Sequence, residues 1–443
     1  MNKWFYICII TVCIASTIPA KNTSIRMKAI GWEELNGIVE DKESDILRNP
    51  ANLNKLNKVQ IGSSFENDLT RPVFSILLPK KIKSIIGVGI IAEGYKWDDF
   101  DTCHYKYKGD GYYNYEDYNY GDSYSGTFIS CLSVSKNMDF GGSYTYGTSY
   151  SSHNINNEDL DINSDTSIYQ WDRNEQGAGK NQGFIIGSIF KINSKNSIEL
   201  VLNSLSSNGN WDSRWKHKYE DSYYTGDWKS ERLINKAIDS SNNNTLNTML
   251  VLKKVISPAT TFSVIGCVEK ETYKYQDVEE TNIAFQEIYN EELFDSNVTT
   301  IDTTYNDSKN INVFIGIGEE IKPSSKAKIG VGAKWIYETY SSERISHTRR
   351  YETFDSTDFV DSSISVYNYD DTDWYILGVV GVEYKLIPQF ALRGGIAFCP
   401  YPDIEGIITA GFGYKVFKNF NIDFYIVQGW SDCEWGIQAS LKK

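Results

Sequence analysis

Two adjacent stretches of alternating residues between positions 309 and 341 constrain the fold more than any other feature of this chain. Apolar side chains occupy every second position from Ala327 to Tyr337, and Lys, Gly or Glu stands between most of them. A period of two is the pattern of a β-strand with one apolar and one polar face. Residues 310–318 alternate in the same way, and Lys322-Pro323-Ser324-Ser325 forms a turn, so the region is predicted to be a β-hairpin.

Each arm of this hairpin is long enough to cross a bilayer as a tilted strand, which takes about 9–11 residues. Six similar hairpins with short turns are predicted along the chain. The connections between hairpins are longer and polar, and we expect loops at 98–125, 151–182, 207–244, 271–308 and 342–370. Short turns on one side and long loops on the other are typical of outer-membrane barrels.

The repetition of these hairpins predicts an all-β chain that forms a closed antiparallel transmembrane β-barrel. Terminal strands at 57–66 and 433–442 bring the strand count to sixteen, an even number. The count is fourteen if the first pair belongs to a plug. A soluble, secreted β-protein is the remaining alternative, because alternating strands also build soluble sandwiches.

Charge and hydropathy exclude two other classes of protein. The net charge of −14 argues against a nucleic-acid partner, which requires a cationic surface. The mean hydropathy of −0.41 excludes a bundle of transmembrane helices. The chain contains 33 Gly, 31 Tyr and 11 Trp residues, which are the small and aromatic residues that barrels use.

Three segments are predicted in the chain. Residues 1–20 carry one Lys, an apolar run and small residues before Ala20, the pattern of a secretory signal peptide. Residues 21–56 are mixed helix and loop, and residues 57–443 form the barrel. The cysteines show no CxxC spacing, and we expect neither a metal site nor a cofactor.

A short motif in the second segment carries a resemblance to a known family. It consists of Asp41, Ser44, Ile46, Asn49, Pro50, Ala51, Asn52 and Leu53. The motif resembles the N-terminal segment of the FadL family of outer-membrane hydrophobic-compound transporters, and equally that of PorV-type barrels. Lys42 stands where the family has a second acidic residue, and Asn52 replaces a Gly. The resemblance implies that residues 21–56 are a hatch-like segment, shaped by Asn49, Pro50, Ala51 and Leu53.

The same resemblance implies passive transport of hydrophobic or small solutes across the bacterial outer membrane. The alternative is a non-transporting barrel, either a PorV-like secretion partner or a surface adhesin. The Tyr-rich tract 105–124 suits an adhesive or sugar-binding role, but the favoured interpretation is a plain surface loop that folds back over the barrel or extends a β-ribbon. Expected partners are outer-membrane lipid and a hydrophobic small molecule. The terminal strand resembles the signal read by the barrel-assembly machinery, a further partner.

Charged residues on the non-apolar side of the strands are the remaining candidates for function. A charged side chain on the lipid face is costly, so these residues are predicted to face the lumen. Solvation alone explains that placement, and a role in selectivity is a separate hypothesis. The candidates are Lys326, Lys328, Lys334, Glu338, Glu199, Arg393 and Asp423. No catalytic motif is present, and we do not expect an enzyme.

Overall fold

A computed structural model of the chain gives the architecture. It describes residues 41–56, 59–66, 69–78, 86–106, 112–161, 166–222, 228–289, 292–354, 357–399, 406–428 and 433–442. The predicted signal peptide and residues 21–40 lie outside the described residues, as does the predicted turn near Pro79.

The described elements are two short helices followed by strands. The first is α1 (Lys42–Arg48), and a 3-10 helix follows it at Pro50–Lys55. The strands are β1 (Gln60–Glu66), β2 (Leu69–Leu78), β3 (Ile86–Lys106), β4 (Tyr112–Ser135), β5 (Met138–Asp161), β6 (Thr166–Lys191), β7 (Asn196–Ser222), β8 (Trp228–Ser257), β9 (Thr260–Tyr289), β10 (Glu292–Ile321), β11 (Ala327–Phe354), β12 (Thr357–Ile387), β13 (Phe390–Phe398), β14 (Ile407–Phe417), β15 (Phe420–Gln428) and β16 (Cys433–Lys442). No helix in the described ranges combines the length and apolar character needed to span a membrane.

All sixteen described strands belong to one antiparallel sheet, which confirms the predicted all-β class. Each strand pairs with its neighbours in sequence, and β1 also pairs with β16 from Gln60↔Lys442 to Phe65↔Ile437, so the order of pairings forms a ring. Because β1 and β2 are part of this sheet, the first strand pair does not form a plug, as the fourteen-strand alternative required.

The strands fall into two groups of very different length. β3 to β12 have 21 to 31 residues and form what we call the tall wall. β13 to β16 with β1 and β2 have 7 to 11 residues and form the short wall. A strand rises about 3.3 Å per residue, so the tall wall continues far beyond the height of a bilayer.

The tall wall corrects our expectation of long loops. The five polar stretches predicted as loops are mostly paired strand, and the residues from Ser296 to Lys309 pair on both sides with β9 and β11. The predicted short turns at the opposite end are present where they are described, for example between Ile321 and Ala327.

The two faces of the sheet are reversed relative to a soluble protein. On the outward face of β11, Val331 and Trp335 are 41% exposed, whereas Ile336 on the inward face is buried. Buried polar residues such as Glu199, Ser263 and Glu320 also lie on the inward face. An apolar exterior around a partly polar interior is the arrangement that a lipid environment stabilises.

Candidate functional site in the barrel lumen

The residues Asp41–Leu56, here called the inner segment, lie against the inward face of the barrel. Asn49 links its two helices, because the Asn49 side chain accepts a hydrogen bond from the Ala51 N–H at 3.1 Å. Pro50 occupies the start of the 3-10 helix, where a missing N–H costs no helical hydrogen bond. The Asn-Pro-Ala sequence therefore fixes a compact turn that is fully buried.

Glycines in the barrel wall allow the inner segment to approach closely. A Cβ atom at Gly141 would collide with the backbone of Ala51, and one at Gly187 would collide with the side chain of Asn49. The Asn49 side-chain amide also donates to the Ser188 carbonyl at 3.3 Å. These contacts make glycine necessary at both wall positions.

Apolar side chains of the inner segment bury themselves against the tall wall. Leu53 is completely buried, and its cluster contains Ile46, Leu56, Ile91, Ile129 and Cys131. Next to this cluster, the Cys131 thiol donates to Asn54 Oδ1 at 3.0 Å. Leu53 and the Asn-Pro-Ala turn thus serve to attach the segment to β3, β4, β5 and β6.

Glu199 on β7 is the centre of a buried charge cluster that holds the inner segment. Its carboxylate accepts a hydrogen bond from Arg48 at 2.9 Å and lies 3.5 Å from Lys55 and 3.7 Å from Lys253. Arg48 also contacts Asp45 at 3.0 Å. Because Glu199 is fully buried, its charge is tolerated only through these partners.

The other charged candidates divide between the inward face and a turn. Lys328 lies on the inward face and contacts Glu320 at 2.8 Å. Lys334 lies 5.1 Å above the Phe314 ring, and Glu338 accepts a hydrogen bond from Asn312 at 3.1 Å. Lys326 corrects the prediction, because it is exposed in the turn before β11 begins and does not share this wall.

Arg393 and Asp423 meet on the inward face of the short wall. Arg393 donates to Asp423 at 2.6 Å and to Glu383 at 2.8 Å, which joins β12, β13 and β15. The role of these charges in selectivity stays a prediction.

The sequence reasoning missed an apolar cluster on the inward face. Val251, Ile265, Ile336, Leu377, Val379 and Ala397 are buried together there. Tyr425 and Val427 continue this apolar surface through Ile407. A signal was present, because neighbouring residues such as Trp335 and Ile336 are both apolar, and such runs break the alternation of a strand with a fully polar inner face.

The inner segment and this apolar cluster occupy different parts of the wall. The inner segment contacts β3, β4, β5 and β6 and is charge-paired to β7, whereas the cluster lies on β8, β9, β11, β12 and β13. A cavity of about 300 Å³ opens between Lys55, Ile189, Lys253 and Glu320 at the end with the short turns. The lumen therefore has an occupied side and an apolar side.

Several solved structures are similar to this chain at low sequence identity. No protein-family model matches it, and a search of the curated proteins finds no match. Among solved structures, a deletion mutant of the TodX monoaromatic hydrocarbon channel has 10% sequence identity and a TM-score of 0.45, covering 96% of this chain and 98% of the other.

Two further solved structures are similar over nearly the whole chain. A FadL homologue from Pseudomonas aeruginosa has 11% identity and a TM-score of 0.41, covering 96% of this chain and 99% of its own. The toluene transporter TbuX from Ralstonia pickettii has 10% identity and a TM-score of 0.38, covering 95% and 97%.

Proposed function

We propose that this protein is an outer-membrane β-barrel that lets small hydrophobic solutes pass passively through its lumen. The inner segment acts as a hatch beside the route, and outer-membrane lipid surrounds the apolar exterior. The observation that carries this proposal is the apolar cluster around Val251, Leu377 and Val379 on the inward face.

An apolar patch on a lumen wall is chemically selective. The members of this cluster are at most 9% exposed, so other side chains and not water surround them. Hydrophobic ligands bind where apolar side chains line a concave site that contains a few polar groups. The cluster, with Lys334 and Glu338 nearby, has that composition.

Uptake by intact cells tests the proposal, because lipopolysaccharide slows hydrophobic solutes that cross plain lipid freely. Cells that lack their own hydrophobic channel would express either this protein or an empty vector, and uptake of radiolabelled naphthalene and oleate would be measured. We expect faster uptake with the protein. Uptake equal to that of vector cells, at matched amounts of folded barrel, would refute transport.

A polar substitution in the cluster tests the route itself. Leu377→Asn with Val379→Thr should lower uptake about tenfold, since polar groups remove roughly 1–3 kcal/mol of favourable contact with the solute. The matched control is Ile238→Asn, which places the same chemistry on the tall wall far from the cluster. Heat-modifiable migration on gels would verify that each variant is folded.

The tall wall favours a second candidate function, a binding or structural barrel such as a secretion partner or adhesin. Its strands reach 31 residues, far more than a bilayer requires. Thr281 and Thr300 are register partners, so residues 282–299 can be replaced by an Asn-Gly turn. A transporter should keep its uptake after this change, whereas an adhesin should lose attachment of cells to surfaces.

A further inference from the structure

In the described part of the tall wall, β3 and β12 each have a long stretch that pairs on one side only, and the longer stretch is on β12. β12 pairs with β11 from Thr357 to Tyr384, but β13 covers β12 only from Gly378 to Ile387. Within the described ranges, the stretch Phe359–Asp373 therefore has a hydrogen-bonded neighbour on one side only. We call this stretch the free edge. Its outer row of backbone groups is a template on which another strand can pair.

The side chains of the free edge are apolar to an unusual degree for residues in water. Phe359 is 72% exposed, Ile364 is 69% exposed and Tyr367 is 62% exposed. Strand alternation places Val360, Ile364 and Val366 on one face and Phe359, Tyr367 and Tyr369 on the other. An added strand would therefore find apolar contacts for both rows of its side chains.

Protection against aggregation does not explain this composition. Natural edge strands are usually shielded by Lys, Pro, a bulge or short length. The free edge contains no Lys and no Pro, and its pairing with β11 has no register shift. Exposed Phe359 and Ile364 would promote association of the edge with other chains. The composition therefore favours an edge that pairs with a partner strand.

Charge identifies the kind of strand that fits. The free edge carries Asp361, Asp370, Asp371 and Asp373 and has no Lys or Arg. On β11, Arg350 stands opposite Asp361, but the other three aspartates face Ser341, Tyr340 and Glu338. That end of the edge is thus negative, and the same edge of a second copy would add only more carboxylates.

We propose that the free edge binds an extended segment of a partner protein that carries Lys or Arg and adds to β12 as a further strand. Backbone hydrogen bonds supply much of the affinity in such strand addition, and alternate side chains supply specificity. This interaction is separate from solute transport and does not depend on it. Because alternate residues of a strand share a face, the Lys or Arg side chains of the segment would lie on the face of Asp370, with Asp371 and Asp373 close by on the other face.

A defined peptide tests the proposal on the full protein in detergent or nanodiscs. The probe is a peptide of about fifteen residues that alternates Lys with Val or Thr, a length that matches the edge. We expect saturable binding that weakens as salt rises and slower hydrogen exchange at residues 359–373. The same peptide with N-methyl groups on alternate amides should bind much less, because it cannot complete the ladder.

Charge reversal supplies the matched variant. Asp370→Lys should weaken binding of the Lys peptide at least tenfold and favour a Glu-alternating peptide instead, because the sign of the edge is changed. Glu280→Lys is the control, since Glu280 is also exposed but lies on β9, which is paired on both sides. Circular dichroism and heat-modifiability would establish that both variants are folded.

Three results would overturn the proposal. They are equal binding of the Lys peptide to the Asp370→Lys and Glu280→Lys variants, equal binding of the N-methylated peptide, and no binding of any peptide to the unmodified protein. Self-association in sedimentation experiments without peptide, abolished by Asp370→Lys, would also overturn it by making a second copy the occupant.

Discussion

The short wall and the tall wall belong to the same sheet but differ in strand length and in the side chains on their outward faces. β13 and β15 have 9 residues each, close to the minimum that crosses a bilayer. β8, β9 and β10 have 30 residues each and carry two patterns in succession. Ile315 and Ile317 are more than half exposed on the outward face of the lower part of β10, whereas Thr303 and Asp307 occupy that face higher up. Strand length thus follows the extent of pairing, whereas the outward side chains of β10 change from isoleucine in the lower part to threonine and aspartate higher up.

The inner segment depends on the tall wall, and the largest effect should come from breaking that attachment. Glu199→Gln removes one of the two carboxylates that contact buried Arg48, and loss of one partner from a buried ion pair costs about 3–5 kcal/mol. The Cys131 thiol should then react faster with a maleimide, because the inner segment covers it. The other cysteines would be replaced by serine.

Asp423→Asn is the short-wall control for this experiment. Arg393 keeps Glu383 as a partner after that change, and neither residue touches the inner segment in the described contacts. Cys131 should keep its slow labelling rate. Equal acceleration in both variants would show that general loosening of the barrel, and not release of the segment, exposes the thiol.

A charged probe should locate the boundary between the lipid band and the part of the tall wall in water. Ile315→Lys places a charge on the outward face among apolar residues, and a charge near the bilayer centre costs about 2–4 kcal/mol. Ile238→Lys, also on an exposed side chain but far above the turns, should change stability by about 0.5 kcal/mol or less. Urea unfolding in lipid vesicles measures both.

Similar losses of stability in Ile315→Lys and Ile238→Lys would contradict a boundary between a lipid-facing and a water-facing part of the tall wall. If Ile315→Lys unfolds at the same urea concentration as the unmodified protein, its face is in water and the chain is not a membrane barrel. A loss at Ile238 as large as at Ile315 would extend the lipid band up the tall wall.

The smallest effect we expect is a pH dependence confined to the tall wall. Burial, a hydrogen bond with Asp239 and the charge of Asp239 raise the pKa of Asp277 from 3.8 to about 7, although Arg344 opposes the shift. In the folded protein Asp277 therefore keeps a proton that it releases above about pH 4 when the chain is unfolded. The stabilisation is fully present below that value and is lost as the pH rises to about 7.

Hydrogen exchange, corrected for intrinsic rates, would measure this loosening. Amides at 235–241 and 273–279 should open more often at pH 8 than at pH 5, and amides of β14 serve as the short-wall reference. The side chain introduced by Asp277→Asn cannot titrate, so the exchange rates of these amides should not differ between pH 5 and pH 8 in this variant. A pH effect that persists in Asp277→Asn would assign the dependence to another group.

Much of the fold was predictable from the sequence, because alternation records which face each residue presents. The hairpin at 309–341 has the predicted register, with Val313 opposite Tyr337 and Ile315 opposite Trp335. The upper parts of the strands were not predictable in this way. Once both faces meet water, a stretch such as 296–308 loses its apolar alternation, and only its content of Thr, Val, Ile and Tyr favours a strand.

The lumen was predictable only in part. The sequence identifies which strand residues face inward, and it does so for Lys328, Lys334 and Arg393. It does not show that Glu199 meets Arg48, because the two lie far apart in the chain and the contact depends on how the barrel positions β7. Lys326 was misplaced because the turn is one residue longer than alternation suggested.

The pairing of β1 with β16 has a consequence for how the chain assembles. Gln60 and Lys442 lie far apart in the sequence, so forming their contact before the other strands have paired would close a very long loop and lose the most chain entropy. The tall hairpins join residues that are close in sequence and form at low entropic cost. We therefore expect the pairing of β1 with β16 to form last. Folding intermediates should be open sheets in which β1 and β16 are not yet paired.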